Sequence, residues 1–87
     1  MSTQVAKKTQ TGVRIESSLL KVLKGLAEYK DLTLGDLLEG IILHAFEGKT
    51  PFSQETRKVI GQLKQVYGCE FSAADSHRLV ESVASMP

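Results

Sequence analysis

Side chains that can read DNA bases stand at alternate positions near the start of this 87-residue chain. Gln10, Gly12 and Arg14 share one face of an extended segment, because successive side chains of such a segment point to opposite sides. Arginine can bond to guanine O6 and N7, and glutamine to adenine N6 and N7. We therefore predict base contacts at Gln10, Gly12 and Arg14, where Gly12 either permits a close backbone approach or relaxes specificity.

Basic residues are concentrated in the same part of the chain. Residues 1–30 carry six bases and two acids, a net charge of +4, whereas residues 31–48 carry four acids and no lysine or arginine. Residues 49–87 carry a net charge of +1. Lys7 and Lys8 precede the predicted base-contact positions, and we expect them to contact phosphates, which adds salt-dependent affinity without sequence information.

The elements that must position these residues follow from the hydrophobic pattern. Val13 and Ile15 alternate with the polar face, which predicts a short strand over residues 9–15. A lone strand leaves its backbone donors and acceptors without partners, so it must pair with something. A second copy of the chain is the simplest candidate, and dimerisation would bring two segments of charge +4 together.

Two helices are predicted after the strand. The first opens at Glu16 or Ser17 and ends near residues 29–31, and Thr33 is a good N-cap for the second, which Gly48 closes. The second helix has the most regular apolar pattern in the chain: Leu34, Leu37, Leu38, Ile41, Ile42 and Ala45. So much apolar width on one short helix predicts burial on more than one side, as at a dimer interface.

Residues 49–87 form a third region. A helix is expected after Pro51, with Gly68 as its stop signal, and a capping-box pattern from Ser72 to Asp75 predicts a fourth. The predicted organisation is a flexible basic arm (1–8), a core (9–48) and a C-terminal helical hairpin (49–87). This hairpin could extend a dimer interface, cap its core, bridge neighbouring dimers on DNA or bind a protein partner.

Several functional classes are disfavoured by the composition. Cys69 is the single cysteine, and no spacing of metal ligands, catalytic motif or phosphate-binding glycine loop is present, so we expect no metal, no cofactor and no enzymatic activity. No apolar run approaches the roughly 20 residues needed to cross a bilayer. We expect a cytoplasmic protein that has no membrane partner.

Residues 8–47 resemble the ribbon-helix-helix (Arc/MetJ-type) DNA-binding family. The resemblance rests on the run of residues 11–20, on the Leu26-Ala27 stripe and on the Thr33-Leu34-Gly35-Asp36-Leu37-Leu38 run. It implies a mainly α fold: a homodimer whose intermolecular two-stranded antiparallel β-ribbon enters the major groove. The implied dimer core is Val13, Ile15, Leu37, Leu38, Ile41 and Ile42.

The resemblance also implies a phosphate clamp at the start of the second helix. Its donors would be the backbone amides of Leu34 and Gly35 and the hydroxyl of Thr33, at the positive end of the helix dipole. The turn before this helix lacks the glycine usually found there. Asp31 would therefore take a left-handed conformation, which Asp tolerates better than most residues.

These patterns together predict a homodimeric, sequence-specific protein that binds double-stranded DNA, most simply a transcriptional repressor. One alternative is an antitoxin-like or adaptor protein that binds a protein partner through residues 49–87. Another is a structural dimerisation module that never binds DNA, which the near-neutral overall charge of +1 would suit.

Overall fold

The computed structural model describes residues 5–80, and its regular structure is helical. Three α-helices follow one another: α1 (Ser17–Tyr29), α2 (Leu34–Phe46) and α3 (Gln54–Val66). A short 3-10 turn, Ala73–Asp75, comes after them. The expectation of a mainly α protein is confirmed, and each helix lies where its pattern predicts. Within residues 5–80 no helix combines the length and the apolar character needed to cross a membrane.

The predicted β-ribbon is wrong for this structure. Residues 5–16 have no regular secondary structure, and the part of the chain between residues 5 and 80 contains no strand. Val13, expected to face a core, is 72% exposed. The reason is that a strand is held by hydrogen bonds to a neighbouring strand, and the chain itself offers none. The segment is therefore irregular and mostly exposed, with Ile15 and Glu16 half-buried, and we call residues 5–16 the N-terminal arm.

The predicted C-terminal hairpin is also wrong over the described residues. The capping box is present, since Asp75 accepts a hydrogen bond from the Ser72 amide at 2.8 Å, but only the 3-10 turn follows it. His77 then takes a positive φ of 66°, which a continuing α-helix does not allow. The second half of the predicted helix, residues 81–87, lies outside the described residues.

The core forms where α1 meets the other two helices. Leu26 and Ala27 of α1 are buried with Leu37 of α2, and α3 contributes Val59, Ile60 and Leu63 to the same cluster. Gly25 lies at the contact of α1 with α3, where a β-carbon would be 3.0 Å from Leu63 Cδ2 and would require Leu63 to shift slightly. Because α3 packs directly on α1, it completes the core.

A side-chain cap begins each helix. The Thr33 hydroxyl accepts a hydrogen bond from the Asp36 amide at 3.1 Å, and Ser53 caps α3 in the same way. The Glu16 carboxylate caps α1, accepting from the Ser18 hydroxyl at 2.6 Å and the Leu19 amide at 2.9 Å. These hydrogen bonds lower the pKa of Glu16, and the bond from Ser18 has the largest effect. The contribution of this cap is therefore present above the ordinary carboxyl pKa and is lost as pH falls through the lowered one.

All three helices end in the same hydrogen-bonded motif. In each, the amide two residues beyond the C-cap bonds to a carbonyl of the last turn at 2.8 Å: Leu32 to Ala27, Lys49 to His44 and Cys69 to Lys64. The motif needs a left-handed residue in between, which is Gly48 in α2 and Gly68 in α3. In α1 it is Asp31, whose φ is 58°, so the predicted left-handed aspartate is confirmed.

We expect Asp31→Gly to stabilise the protein. A left-handed conformation costs a residue with a β-carbon roughly 1–2 kcal/mol, and glycine avoids most of this cost. The expected gain in the free energy of unfolding is about 1 kcal/mol, measured by urea denaturation. Lys30→Gly is the matched control. Because Lys30 has an ordinary φ of −89°, glycine relieves no strain there, and the variant should be less stable than the wild type. Equal effects of the two changes would contradict this explanation.

Candidate nucleic-acid interface

The predicted base-contact positions lie in the exposed N-terminal arm. Gln10, Gly12 and Arg14 are all solvent-exposed, as is Lys7. A β-carbon at Gly12 would meet no atom within 4 Å, so the backbone there is open to a close approach. Gln10 and Arg14 are thus exposed residues of the arm, just before α1 begins.

Lys8 joins this arm to α2. Its ammonium group donates hydrogen bonds to Glu39 Oε1 at 3.0 Å and to Asp36 Oδ1 at 3.3 Å. Both are ion pairs at the surface, with all three side chains at least half exposed. Both hydrogen bonds raise the pKa of Lys8 above its ordinary value, and the bond to Glu39 has the larger effect. The predicted phosphate ligand is therefore already paired with acidic groups of its own chain.

The start of α2 contains the two amides predicted to bind phosphate. The Thr33 hydroxyl caps the Asp36 amide, and the two amides between them belong to Leu34 and Gly35. Gly35 is exposed, and a β-carbon there would meet nothing within 4 Å. The first amides of a helix have no partner within that helix and sit at its positive end. This geometry suits an anion, provided that the charge of Asp36 is balanced.

The ion pairs of Lys8 bring the two predicted phosphate-contact regions together. Lys8 in the arm and the first turn of α2 form one surface, and the ammonium group offsets the charge of Asp36 beside the helix amides. Gln10 follows Lys8 by two residues, so the predicted base-contact positions begin close to this surface in the sequence of the arm. An anion bound here would compete with Asp36 and Glu39 for Lys8.

A second surface of α2 is apolar and exposed. The predicted dimer-core residues differ in burial. Leu37 lies inside the chain's own core, and three others are half-buried: Ile15, Leu38 and Ile41. The remaining two, Val13 and Ile42, are exposed. Leu43 and Phe46 add to the patch and are 62% and 82% exposed. We call Ile42, Leu43 and Phe46 the α2 apolar patch. Contiguous exposed apolar groups of this kind are typical of protein interfaces.

Sequence reasoning missed one participant in this surface. Glu39 is the nearer partner of Lys8, although 31 residues separate the two along the chain. No local pattern could have paired them, because the contact depends on how the arm folds back onto α2. The only available signal was that Asp36 and Glu39 stand three residues apart, which places them on neighbouring positions of one helical face.

No protein-family model, no curated protein sequence and no solved structure matches this chain. The resemblance to the ribbon-helix-helix family therefore stays a prediction from the sequence.

Proposed function

We propose that this protein is a homodimeric, sequence-specific DNA-binding protein that acts as a transcriptional repressor in the cytoplasm. The observation that carries the proposal is the joint surface of the N-terminal arm and α2. There, Lys8 is held beside the first turn of α2, while Gln10, Gly12 and Arg14 lie exposed on the adjoining arm. Lys8 thereby joins the base-reading side chains of the arm to the helix amides at the start of α2.

Phosphate contacts provide the affinity in this proposal. Lys7 and Lys8 bind the DNA backbone as point charges, and the amides of Leu34 and Gly35 donate to a phosphate oxygen with help from the Thr33 hydroxyl. Lys8 leaves its ion pairs or shares them when the phosphate arrives. Because those pairs are exposed, breaking them removes little stability from the fold.

Base contacts provide the specificity. Once Lys8 releases α2, the arm can follow a groove of DNA, as basic arms of other DNA-binding proteins do. Arg14 and Gln10 then bond to purine edges, and Gly12 lets the backbone approach the bases between them. Each good bidentate pair contributes about 1–3 kcal/mol of discrimination against the wrong base.

Dimerisation through the α2 apolar patch completes the proposed assembly. It buries Ile42, Leu43 and Phe46, and it joins two N-terminal thirds of net charge +4 in one particle. A two-fold symmetric dimer contacts two half-sites, so the factor by which one arm discriminates against a wrong sequence is multiplied by the same factor from the other arm. In the free protein, Lys8 offsets part of the negative charge of Asp36 and Glu39.

Arg14→Ala tests the base-reading role. We expect binding to a duplex that the protein selects from a random pool to weaken by about 5- to 150-fold, which corresponds to a loss of 1–3 kcal/mol. Binding to mixed-sequence duplex should weaken far less. Lys7→Ala is the matched control, because a phosphate contact contributes equally to both duplexes. Fluorescence anisotropy at one salt concentration measures the affinities of the wild type and of both variants for each duplex.

The comparison between duplexes decides the outcome. If Arg14→Ala weakened binding to both duplexes by the same factor, Arg14 would be an electrostatic contact and the base-reading role would be excluded. A loss confined to the selected duplex supports it.

A further inference from the structure

Helix α3 has an exposed face whose residues play no part in the proposed interface. An α-helix repeats every 3.6 residues, so positions three, four, seven, eight and eleven after its first residue share one side. Every residue on this side, which we call the α3 polar face, is exposed: Gln54, Arg57, Lys58, Gly61, Gln62 and Gln65. It carries two positive charges and no negative one, with the acidic Glu55 at its edge.

The opposite side of α3 accounts for its attachment to the fold. Val59, Ile60 and Leu63 pack against the core, and Thr56 is buried. The packing on α1 therefore holds α3 in place and turns the polar face outward. The polar face contributes nothing to that packing, so the fold does not require its particular residue types.

Gly61 stands in the middle of this face, and no close contact within residues 5–80 requires a glycine there. A β-carbon there would meet no atom within 4 Å, in contrast to Gly25, which lies against Leu63. A glycine inside a helix lowers helix stability relative to other residues, and here no close contact within the described chain offsets that cost. A partner that approaches the helix backbone closely would give the glycine a function.

We propose that the α3 polar face is a second contact surface for duplex DNA, with Arg57 and Lys58 on phosphates and Gly61 at the point of closest approach. The positive charge complements the phosphate backbone, and an α-helix fits the major groove. Three glutamines supply donors and acceptors for base or sugar edges. None of the six positions holds an aromatic residue on which unpaired bases could stack, which favours duplex over single strands.

This proposal rests on the proposed DNA binding, but it assigns a part of the chain outside the arm and α2. It also gives residues 49–87 a direct role in binding DNA. In the dimer, two such faces would extend the contact beyond the bases that the arms reach.

The test compares two double variants that remove the same charges. Arg57→Gln/Lys58→Gln changes the α3 polar face, and Arg78→Gln/Lys49→Gln removes one arginine and one lysine from exposed positions elsewhere. Affinity for a mixed-sequence duplex is measured by fluorescence anisotropy over a salt series. Each lost phosphate contact lowers the salt slope by about 0.9, so the first variant should lose about 1.8 per bound chain and at least about tenfold in affinity. The control variant, Arg78→Gln/Lys49→Gln, should keep nearly the salt slope and the affinity of the wild type.

Gly61→Leu is the second variant. Leucine is a better helix former than glycine, and a β-carbon at position 61 would meet no atom within 4 Å, so the melting temperature should not fall. The bulk should nevertheless weaken DNA binding at least about fivefold, because it blocks the close approach. A Gly61→Leu variant that is folded and binds like the wild type would overturn the proposal.

The remaining outcomes separate this proposal from the one on which it rests. Equal losses in the two double variants overturn the α3 surface and leave the proposed function standing. A large loss confined to Arg57→Gln/Lys58→Gln, without an effect of Arg14→Ala, supports the α3 surface and overturns the base contact in the arm. Absence of binding by the wild-type protein at low salt overturns both.

Discussion

Leu26→Ala is expected to remove about 2–5 kcal/mol from the free energy of unfolding. Leu26 is 1% exposed and is the largest side chain fully buried in the described chain, at the point where α1 meets α2 and α3. Truncation leaves a cavity that three helices border, and the loss is large against the roughly 4–13 kcal/mol that a chain of this size has in total. Urea denaturation followed by circular dichroism measures the change.

Two further variants make this prediction specific. Val66→Ala removes apolar atoms from a side chain that is 73% exposed, so it should change stability by less than about 0.5 kcal/mol. Leu26→Met keeps nearly the same volume and should cost less than about 1.5 kcal/mol, which keeps the site measurable if the alanine variant does not fold. Similar losses for Leu26→Ala and Val66→Ala would show that the core lies elsewhere.

Phe46→Asp is expected to dissociate the dimer with little effect on the folded chain. Phe46 is 82% exposed, so the change removes almost no packing within one chain. In a dimer that buries the α2 apolar patch, an unpaired carboxylate at this position must lose its hydration without a partner, which costs several kcal/mol. We expect the dimer dissociation constant to rise at least about 100-fold, measured by analytical ultracentrifugation.

Val66→Asp is the control for this experiment. It places the same charge at an exposed apolar position on α3, outside the proposed interface, and should leave the dimer intact. A dimer that tolerates Phe46→Asp but not Val66→Asp would place the interface on α3. A wild-type protein that is monomeric at high concentration would exclude dimerisation through α2 altogether.

Local signals predicted the helices because each depends on a few neighbouring residues. Thr33 caps α2 through an amide three residues away, and Gly48 and Gly68 end their helices by taking positive φ. Asp31 does the same at the end of α1, as the short turn before Thr33 required. Such interactions are complete within one turn of the chain, so sequence alone determines them.

The failures involve interactions that sequence does not contain. Alternation over residues 9–15 is typical of a strand, yet the same residues form an exposed arm when no neighbouring strand is present to bond with them. The Ser72–Asp75 capping box is a correct local prediction, but it starts only a three-residue turn. Ser76, with a ψ of 134°, already leaves the helical region, and His77 then takes a positive φ. A start signal does not fix the length of a helix.

Sequence predicted much of the candidate site and missed how its parts meet. The residue types of the arm and the amides of the α2 start were evident from spacing. The contact of Lys8 with Glu39 and Asp36 joins positions 31 and 28 residues apart, and only the folded chain reveals it. The exposed glutamines and basic residues of α3 were visible in the sequence, but their common outward face became apparent only once α3 was seen to pack on α1.

The most direct test of DNA binding is an anisotropy titration of the wild-type protein against mixed-sequence duplex, from low to near-physiological salt. Lys7 and Lys8 in two chains predict four phosphate contacts, so the logarithm of the affinity should fall with the logarithm of salt concentration with a slope of about −3.6 or steeper. Absence of binding even at low salt would contradict the account and favour a structural dimerisation module.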